Sequence, residues 1–465
     1  MRIYNTFSKK IEEMKLGKDV KMYVCGITAY DYSHIGHARS SVFFDTVRRY
    51  LEYRGFEVKY VQNFTDVDDK IVKRAVNESK TQKEISKKFI QEYLNDVAKL
   101  NVREAIHPKV SENIGDIIKA IEKLIERGYA YQVNGDVYFH VPSFDKYGEL
   151  SGMSIEELNR HRIEPDPKKK DVKDFALWKS AKKDDYLAKA VFNSPWGEGR
   201  PGWHIECSVL ATKFLGEHFD IHGGGKDLIF PHHENERTQS YALTGVEPVR
   251  YWIHNDFVTV EGEKMSKSLG NIVKIRDVLK KYDGEVLRYF LISSHYRSSL
   301  NYSEDALEKA KNSYTSLKNT LEAVDMEIAA KRTFGENDEK LNFDTTEFIK
   351  KFEDAMDDDF NIPKAIAVIH EFSRTLNRIV NETEGECEEL EEMFQTFLRL
   401  CRILGLFEKY ERIPVLNEEI ASLIKEREKA RKSKNYAKAD SIRDKIREYG
   451  LILIDTPRGT RWKSV

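Results

Sequence analysis

Cysteine is scarce: the 465-residue sequence holds four, Cys25, Cys207, Cys387 and Cys401, and none lies in a CxxC pair. A disulfide framework and a zinc ribbon are therefore not indicated. Long apolar runs are missing too. No stretch approaches the roughly 18 apolar residues of a membrane span. The opening Met-Arg-Ile-Tyr-Asn-Thr-Phe-Ser-Lys-Lys has no apolar signal core, so a cytoplasmic protein with no membrane partner is expected. Neither sign of charge is in excess: 76 Lys and Arg face 78 Asp and Glu, a formal net charge of -2. That argues against an indiscriminate polyanion binder and permits an RNA enzyme with its positive charge gathered in patches. No internal repeat is visible, and the length suits two to four domains, each with its own core.

What is present begins as strand, helix, strand. Lys21 to Cys25 reads as a strand, and His34 to Arg54 as a helix with Val42, Phe43, Val47, Tyr50 and Leu51 at helical spacing. Gly55 stops it, and Phe56 to Phe64 alternates as a second strand. Such a βαβ unit predicts a parallel sheet covered by helices, with ligands outside the strands' C-terminal ends. Residues 82–130 read as helices. Residues 135–200, richer in Pro, Gly and Lys, read as an insertion with short strands such as Asp136 to Val141. Strands resume at Phe219 to His222 and Val249 to His254. Beyond Glu304 the pattern is helical, with loop-like breaks at Lys331 to Asp344 and at the acidic run Glu382 to Glu392, which reads as a solvated turn or helix face. After Pro414 a charged helical hairpin is expected from Asn417 to Tyr449, then a β-ribbon or extended tail from Leu451 to Trp462.

Two strings suit nucleotide handling. His34-Ile35-Gly36-His37 starts a helix just after a strand and loop. Gly36 lets a nucleotide approach the backbone, the helix N-terminus attracts phosphate, and His34 and His37 can donate to phosphate oxygens. Lys264-Met265-Ser266-Lys267-Ser268 lies between glycine-containing segments, the setting of a mobile loop. Lys264 and Lys267 on such a loop can close over a triphosphate and stabilise departing pyrophosphate. A pair of ordinary histidines and a solvated basic loop are the plainer readings of either string alone.

His232 and Glu236 stand four apart, with Pro231 placed to open their helix, so both point one way and can chelate one metal. Cys25 and Cys207 could add two thiolates, and two S, one N and one O suit zinc. Two buried structural cysteines are the alternative, since 182 positions separate them.

Taken together these strings resemble cysteinyl-tRNA synthetase, a class I aminoacyl-tRNA synthetase. The resemblance is carried by Cys25-Gly26-Ile27-Thr28, the His34 string, Gly202 to Ser208, His222 to Leu228 with Phe230 to Glu236, and the Lys264 string. Met356-Asp357-Asp358-Asp359-Phe360-Asn361 and the tail Asp455 to Trp462 extend it to the chain's end. It implies one zinc ion held by Cys25, Cys207, His232 and Glu236, which selects the substrate thiol and makes an editing domain unnecessary. It implies L-cysteine, Mg2+-ATP and tRNA(Cys) as partners, and a monomer. By the same resemblance Trp203 lines the pocket, Thr65 and Asp227 hold the substrate (Asp227 its ammonium), and Gly223, Gly224 and Gly225 let backbone approach the adenylate. Plain core for Trp203 and a helix cap for Asp227 stay open.

The expected fold is α/β: a Rossmann-like parallel-sheet catalytic domain with an insertion, then an α-helical bundle and a small C-terminal anticodon-binding domain. The expected boundaries are 1–100 and 201–255 for the two sheet halves and 101–200 for the insertion. Residues 256–310 would form the Lys264 loop and stem-contact region, 311–413 the bundle and 414–465 the anticodon end. Lys425 to Arg447 hold ten Lys and Arg against four Asp and Glu. With Tyr436, Tyr449 and Trp462 they suit phosphate contacts and base stacking, although a charged helix is more often a solvated face. Arg431, Tyr436, Asp440, Asp455 and Trp462 are the nominated tRNA contacts; the family often has Trp where this chain has Tyr436. A related ligase that passes cysteine to a small amine would share the catalytic half but has no use for this tail. A non-catalytic RNA-binding paralogue is the other rival. It usually loses an ATP motif or metal ligand, and here all are present.

Overall fold

Four strands form the central sheet of the computed structural model, all parallel, in the spatial order Val249–Asn255, Phe219–Gly225, Asp19–Val24, Glu57–Gln62. The Asp19–Val24 strand sits inside the sheet and buries Val20, Met22, Tyr23 and Val24, so its sequence is a nearly continuous apolar run. It pairs with the next strand in the chain on one side and with Phe219–Gly225 on the other. That is the point at which strand order reverses, and a crevice opens there at the C-terminal ends. Gly26 follows directly: a Cβ there would lie 1.5 Å from the Asn63 carbonyl oxygen, so only glycine lets the two strand exits pass.

The structure describes residues 1–153, 166–265, 269–335, 343–382 and 386–464. They divide into two units, Met1–Ala306 with Asp357–Phe360, and Leu307–Met356 with Asn361–Val465. In the first unit, the expected first helix is Ile35–Tyr53, and Gly55 at φ +88° ends it in a left-handed turn. Helices Gln82–Ala98 and Ile114–Glu126 follow. The expected insertion contains a four-stranded antiparallel sheet, Ala130–Val133, Asp136–Phe139, Phe175–Ser180 and Gly199–Pro201. Asn134 and Gly135, both at positive φ, make its first two-residue hairpin turn. Asp357, Asp358 and Asp359 close this unit from far along the chain. Asp357 accepts from Tyr50 and Arg54, Asp358 from Arg2, and Asp359 from the Tyr4 backbone, Tyr296 and Arg297.

The second unit is helical, with Thr346–Met356, Ile362–Glu382 and Cys387–Ile403 after the long helix Glu304–Phe334. One boundary shifts here: the helix runs four residues into the expected break, from Lys331 to Phe334. Of the two readings of the acidic run, its described part is mostly a helix face, where Leu390 and Met393 bury one side while the glutamates take the other. The basic hairpin is Glu418–Lys432 and Tyr436–Glu448, and the ribbon is Leu451–Thr456 paired with Gly459–Ser464.

Candidate active site

A cavity of about 750 Å³ opens at the strands' C-terminal ends. Cys25, Gly36, His37, Trp203, Asp227 and Lys264 are among the residues that line it. Lys267 lies outside the described residues.

The His34 string builds its own cap. His34 Nδ1 accepts from the backbone N–H of Gly36 (3.1 Å) and His37 (3.4 Å), and His37 Nδ1 accepts from the His34 N–H (3.3 Å). This is a capping box made of imidazoles. The rings stack at 3.7 Å. With each Nδ1 accepting, a neutral ring carries its proton on Nε2. Burial, reinforced by His34 and Lys70, holds His37 well below the usual imidazole range. His37 is thus a neutral hydrogen-bond donor at a helix N-terminus.

Around Cys25, which lines the cavity, the structure gathers Cys207, His232 and Glu236, the four ligand atoms all within 4.8 Å of one another, a group that could hold a metal ion. Cys25 directly follows the strand Asp19–Val24, and Cys207 lies in the helix Ile205–Leu215. The two Sγ atoms are 3.8 Å apart, Cys25 Sγ is 3.3 Å from Glu236 Oε1, and His232 Nε2 is 2.8 Å from the same oxygen. Phe230 is extended (φ -136°, ψ 132°), and helical backbone runs on from Pro231 through His233 into the helix Glu234–Thr244, so Pro231 stands at the opening as expected. His232 reaches Glu236 from the turn before it.

Burial disfavours the His232 cation, yet Glu236 and Cys207 raise its pKa to about 10. Burial likewise raises Cys207, but the Cys25 hydrogen bond and His232 outweigh it and bring the thiol to about 6. Cys25 is held well above its usual range by burial and by Cys207 and Glu236. A divalent cation replaces such protons directly.

The remaining nominated residues divide. Trp203 lies over the His232 ring, 4.3 Å between centroids, and is 38% exposed. Asp227 is exposed at the cavity edge. Thr65 is buried and does not line the cavity; its hydroxyl donates to the Glu206 carboxylate. Among the three glycines, Gly225 lines the cavity. Gly223 and Gly224 are glycines for packing: a Cβ there would come within 2.3 Å of the Phe44 ring and 2.8 Å of His233.

Some residues that touch the cluster carry no sequence expectation. His222 Nε2 meets Glu236 Oε2 at 2.8 Å, and His233 Nε2 meets Cys25 Sγ at 3.2 Å. His233 Nδ1 pairs with His254 (2.7 Å), and His204 Nδ1 with His232 Nδ1 (2.9 Å). Cys25, His222, His233 and Glu236 form a second donor group. The available signal was that His222 and His233 fall inside strings already singled out.

At the C-terminal hairpin and ribbon, Tyr436 is 62% exposed, and Asp455 accepts from Arg427, Arg431 and Arg443. Asp440 is exposed, 4.0 Å from Arg443. Trp462 corrects its expectation. It is fully buried in a core with Ile424 and Ile446, and its indole N–H donates to the Pro414 carbonyl at 2.8 Å, so no base can stack on it.

Comparison with known proteins matches three family models in chain order. They are the class I (C) tRNA synthetase catalytic domain over residues 11–312, the DALR domain over 351–408, and the cysteinyl-tRNA ligase anticodon binding domain over 414–462. A cysteine–tRNA ligase of Archaeoglobus fulgidus is 62% identical over 467 residues, covering 100% of both chains. One from Geobacillus is 47% identical over 100% of this chain and 99% of its own. Among solved structures, Mycobacterium tuberculosis methionyl-tRNA synthetase in complex with methionyl-adenylate overlays with a TM-score of 0.59 at 14% identity. It covers 83% of this chain and 90% of that one, a likeness of fold.

Proposed function

The chain belongs to the cysteinyl-tRNA synthetase family, and from that membership we infer how its residues divide the work. The reaction is class I aminoacylation: cysteine is activated with ATP and transferred to tRNA. The cysteine carboxylate attacks the α-phosphate, pyrophosphate leaves, and the mixed anhydride acylates the terminal ribose, at the 2′-hydroxyl by class I analogy. No protein nucleophile is required, so the residues bind, orient and stabilise charge.

We assign the Cys25, Cys207, His232 and Glu236 group to zinc. Two thiolates at about 2.3 Å from a tetrahedral ion stand about 3.8 Å apart, and 3.8 Å is the observed Sγ–Sγ separation. The His232–Glu236 contact of 2.8 Å is a hydrogen bond that has to open slightly for both to become ligands. When bound, zinc supplies affinity for a thiolate over an alcohol, which separates cysteine from serine where size alone does so weakly.

The chain's own side chains do the rest. His34 and His37 donate from Nε2 to phosphate oxygens at the helix N-terminus. Lys264, at the cavity wall, and Lys267 stabilise the leaving pyrophosphate, with Mg2+ as the counter-ion of ATP. Gly36 and Gly225 admit the nucleotide backbone. Trp203 covers the metal end of the pocket, and Asp227 takes the substrate ammonium. Thr65 acts through Glu206 by fixing its carboxyl one residue from Cys207. Arg431, Tyr436, Asp440 and Asp455 contact tRNA(Cys) at the anticodon end. The domain boundaries of the sequence reading, a monomer and a cytoplasmic location complete the proposal. Among the described residues, no helix is long and apolar enough to cross a membrane.

The observation that carries this reading is the meeting of four thiol, imidazole and carboxylate donors, one of which, Cys25, lines a nucleotide-sized cavity. The test is transfer of labelled cysteine to tRNA with serine in parallel; charging with cysteine alone is expected. Cysteine-dependent ATP–pyrophosphate exchange without charging would point instead to a small-amine ligase.

A further inference from the structure

Tyr30 and Tyr32 sit on the loop between the first strand and the His34 helix, half-buried, and both line the cavity. The activation chemistry above uses neither. Each ring is attended by cations. Lys70 Nζ stands 5.5 Å from the Tyr30 ring centre. Around Tyr32 are Arg276 at 4.0 Å, Lys274 at 5.4 Å and Lys88 at 5.8 Å, while Phe89 meets the ring edge-on at 5.2 Å.

The cations extend beyond the pocket. Lys70 and Lys274 line the cavity; Arg276 and Lys88 do not, and Lys88 is exposed on the helix Gln82–Ala98. Glu92 pairs with Arg276 at 2.7 Å and steadies it against the ring. Among the described residues, Lys70, Lys88 and Lys274 make no ion pair. Positive charge therefore continues from the cavity wall onto the outer surface, along a line of tyrosine rings. A mononucleotide held inside has no phosphate to offer at Lys88. A polynucleotide entering from outside does. Rings that stack on any base, interleaved with lysines that track phosphates, are the chemistry of single-strand binding.

We propose that the Tyr30–Tyr32 rim, with Lys70, Lys274 and Lys88, receives the single-stranded 3′ end of tRNA, a terminal base stacking on Tyr32. The proposal rests on the synthetase reading above and names where its second substrate enters.

The test uses the full chain with Tyr32→Ala, Tyr32→Phe and Lys88→Met, read by two assays. Cysteine-dependent ATP–pyrophosphate exchange reports activation. Single-turnover transfer from preformed cysteinyl-adenylate to tRNA reports delivery. Exchange is expected to stay within about twofold of the parent for all three variants. Transfer kcat/KM should fall about tenfold in Tyr32→Ala, within the range of one lost base stack. Tyr32→Phe should restore it, and Lys88→Met should raise KM for tRNA and lower its salt slope by about one. Transfer unchanged in Tyr32→Ala and Lys88→Met would overturn the proposal. So would exchange and transfer falling together, since the ring would then serve ATP or the fold. A parent chain that shows no cysteine-dependent exchange overturns the synthetase reading along with it.

Discussion

At the residue scale, Cys207 and Asp96 make opposite points about burial. Cys207 is buried among partners that hold its thiol low. Cys207→Ala is expected to lose bound zinc and cysteine activation together, read by metal analysis and pyrophosphate exchange; undiminished activation by a zinc-free variant would sink the metal assignment. Asp96 is buried, and one of its carboxylate oxygens has no hydrogen-bond partner among the described residues. Burial lifts its pKa to about 6 against the pull of Arg276 and Lys99. An unfolded aspartate ionises near pH 4, so the folded state holds its proton longer. The stabilising contribution is full below about pH 4 and is lost as pH rises through about 6, about 2–3 kcal/mol in all. Asp96→Asn should therefore melt with the parent at pH 4 and several degrees higher at pH 7.5. The sequence made the four donors legible because each sits in a distinctive string. It did not reveal His222 and His233 as their neighbours. Whether a strand histidine faces a cluster depends on register with other strands, and Gly223 and Gly224 show how closely those neighbours pack.

At the scale of elements, local signals placed helices well where caps were strong, as at His34 and Gly55. They failed where tertiary pairing decided. Trp462 stands among charged residues near the chain's end and so looked exposed. The ribbon pairs it with Leu453 and turns it into the core. Helix-to-helix attachment within the first unit is more electrostatic than the apolar pattern suggested. Asp45, on Ile35–Tyr53, accepts from Arg49 at 2.7 Å and from Arg288 of Gly284–Ile292 at 2.6 Å, all three fully buried. Burial would raise the Asp45 pKa, but the two guanidiniums win and hold it low. Arg288→Met leaves that carboxylate short of charge, and a loss of about 3–5 kcal/mol is expected in urea unfolding. A change below about 1 kcal/mol would show that the pair is dispensable.

For the molecule as a whole, chain order and unit membership do not coincide, because Asp357–Phe360 belongs with Met1–Ala306. The segment is held firmly: Asp359 is buried and accepts from Tyr296 at 2.6 Å, Arg297 at 2.7 Å and the Tyr4 N–H at 2.8 Å. Asp359 and Phe360 both stand at positive φ, +59° and +46°, at a cost of about 1–2 kcal/mol each, which the docking has to exceed. Asp359→Ala is expected to destabilise the unit by about 2–4 kcal/mol, visible as an earlier unfolding midpoint with cysteine-dependent exchange retained at low temperature. This arrangement also sets a clock on synthesis. When residue 306 has left the ribosome, the partners of Arg2, Arg54 and Arg297 are still unmade. They arrive roughly 50 residues later, a few seconds at about 5–20 residues per second. Until then the unit that would charge tRNA waits, incomplete, on translation that itself consumes charged tRNA.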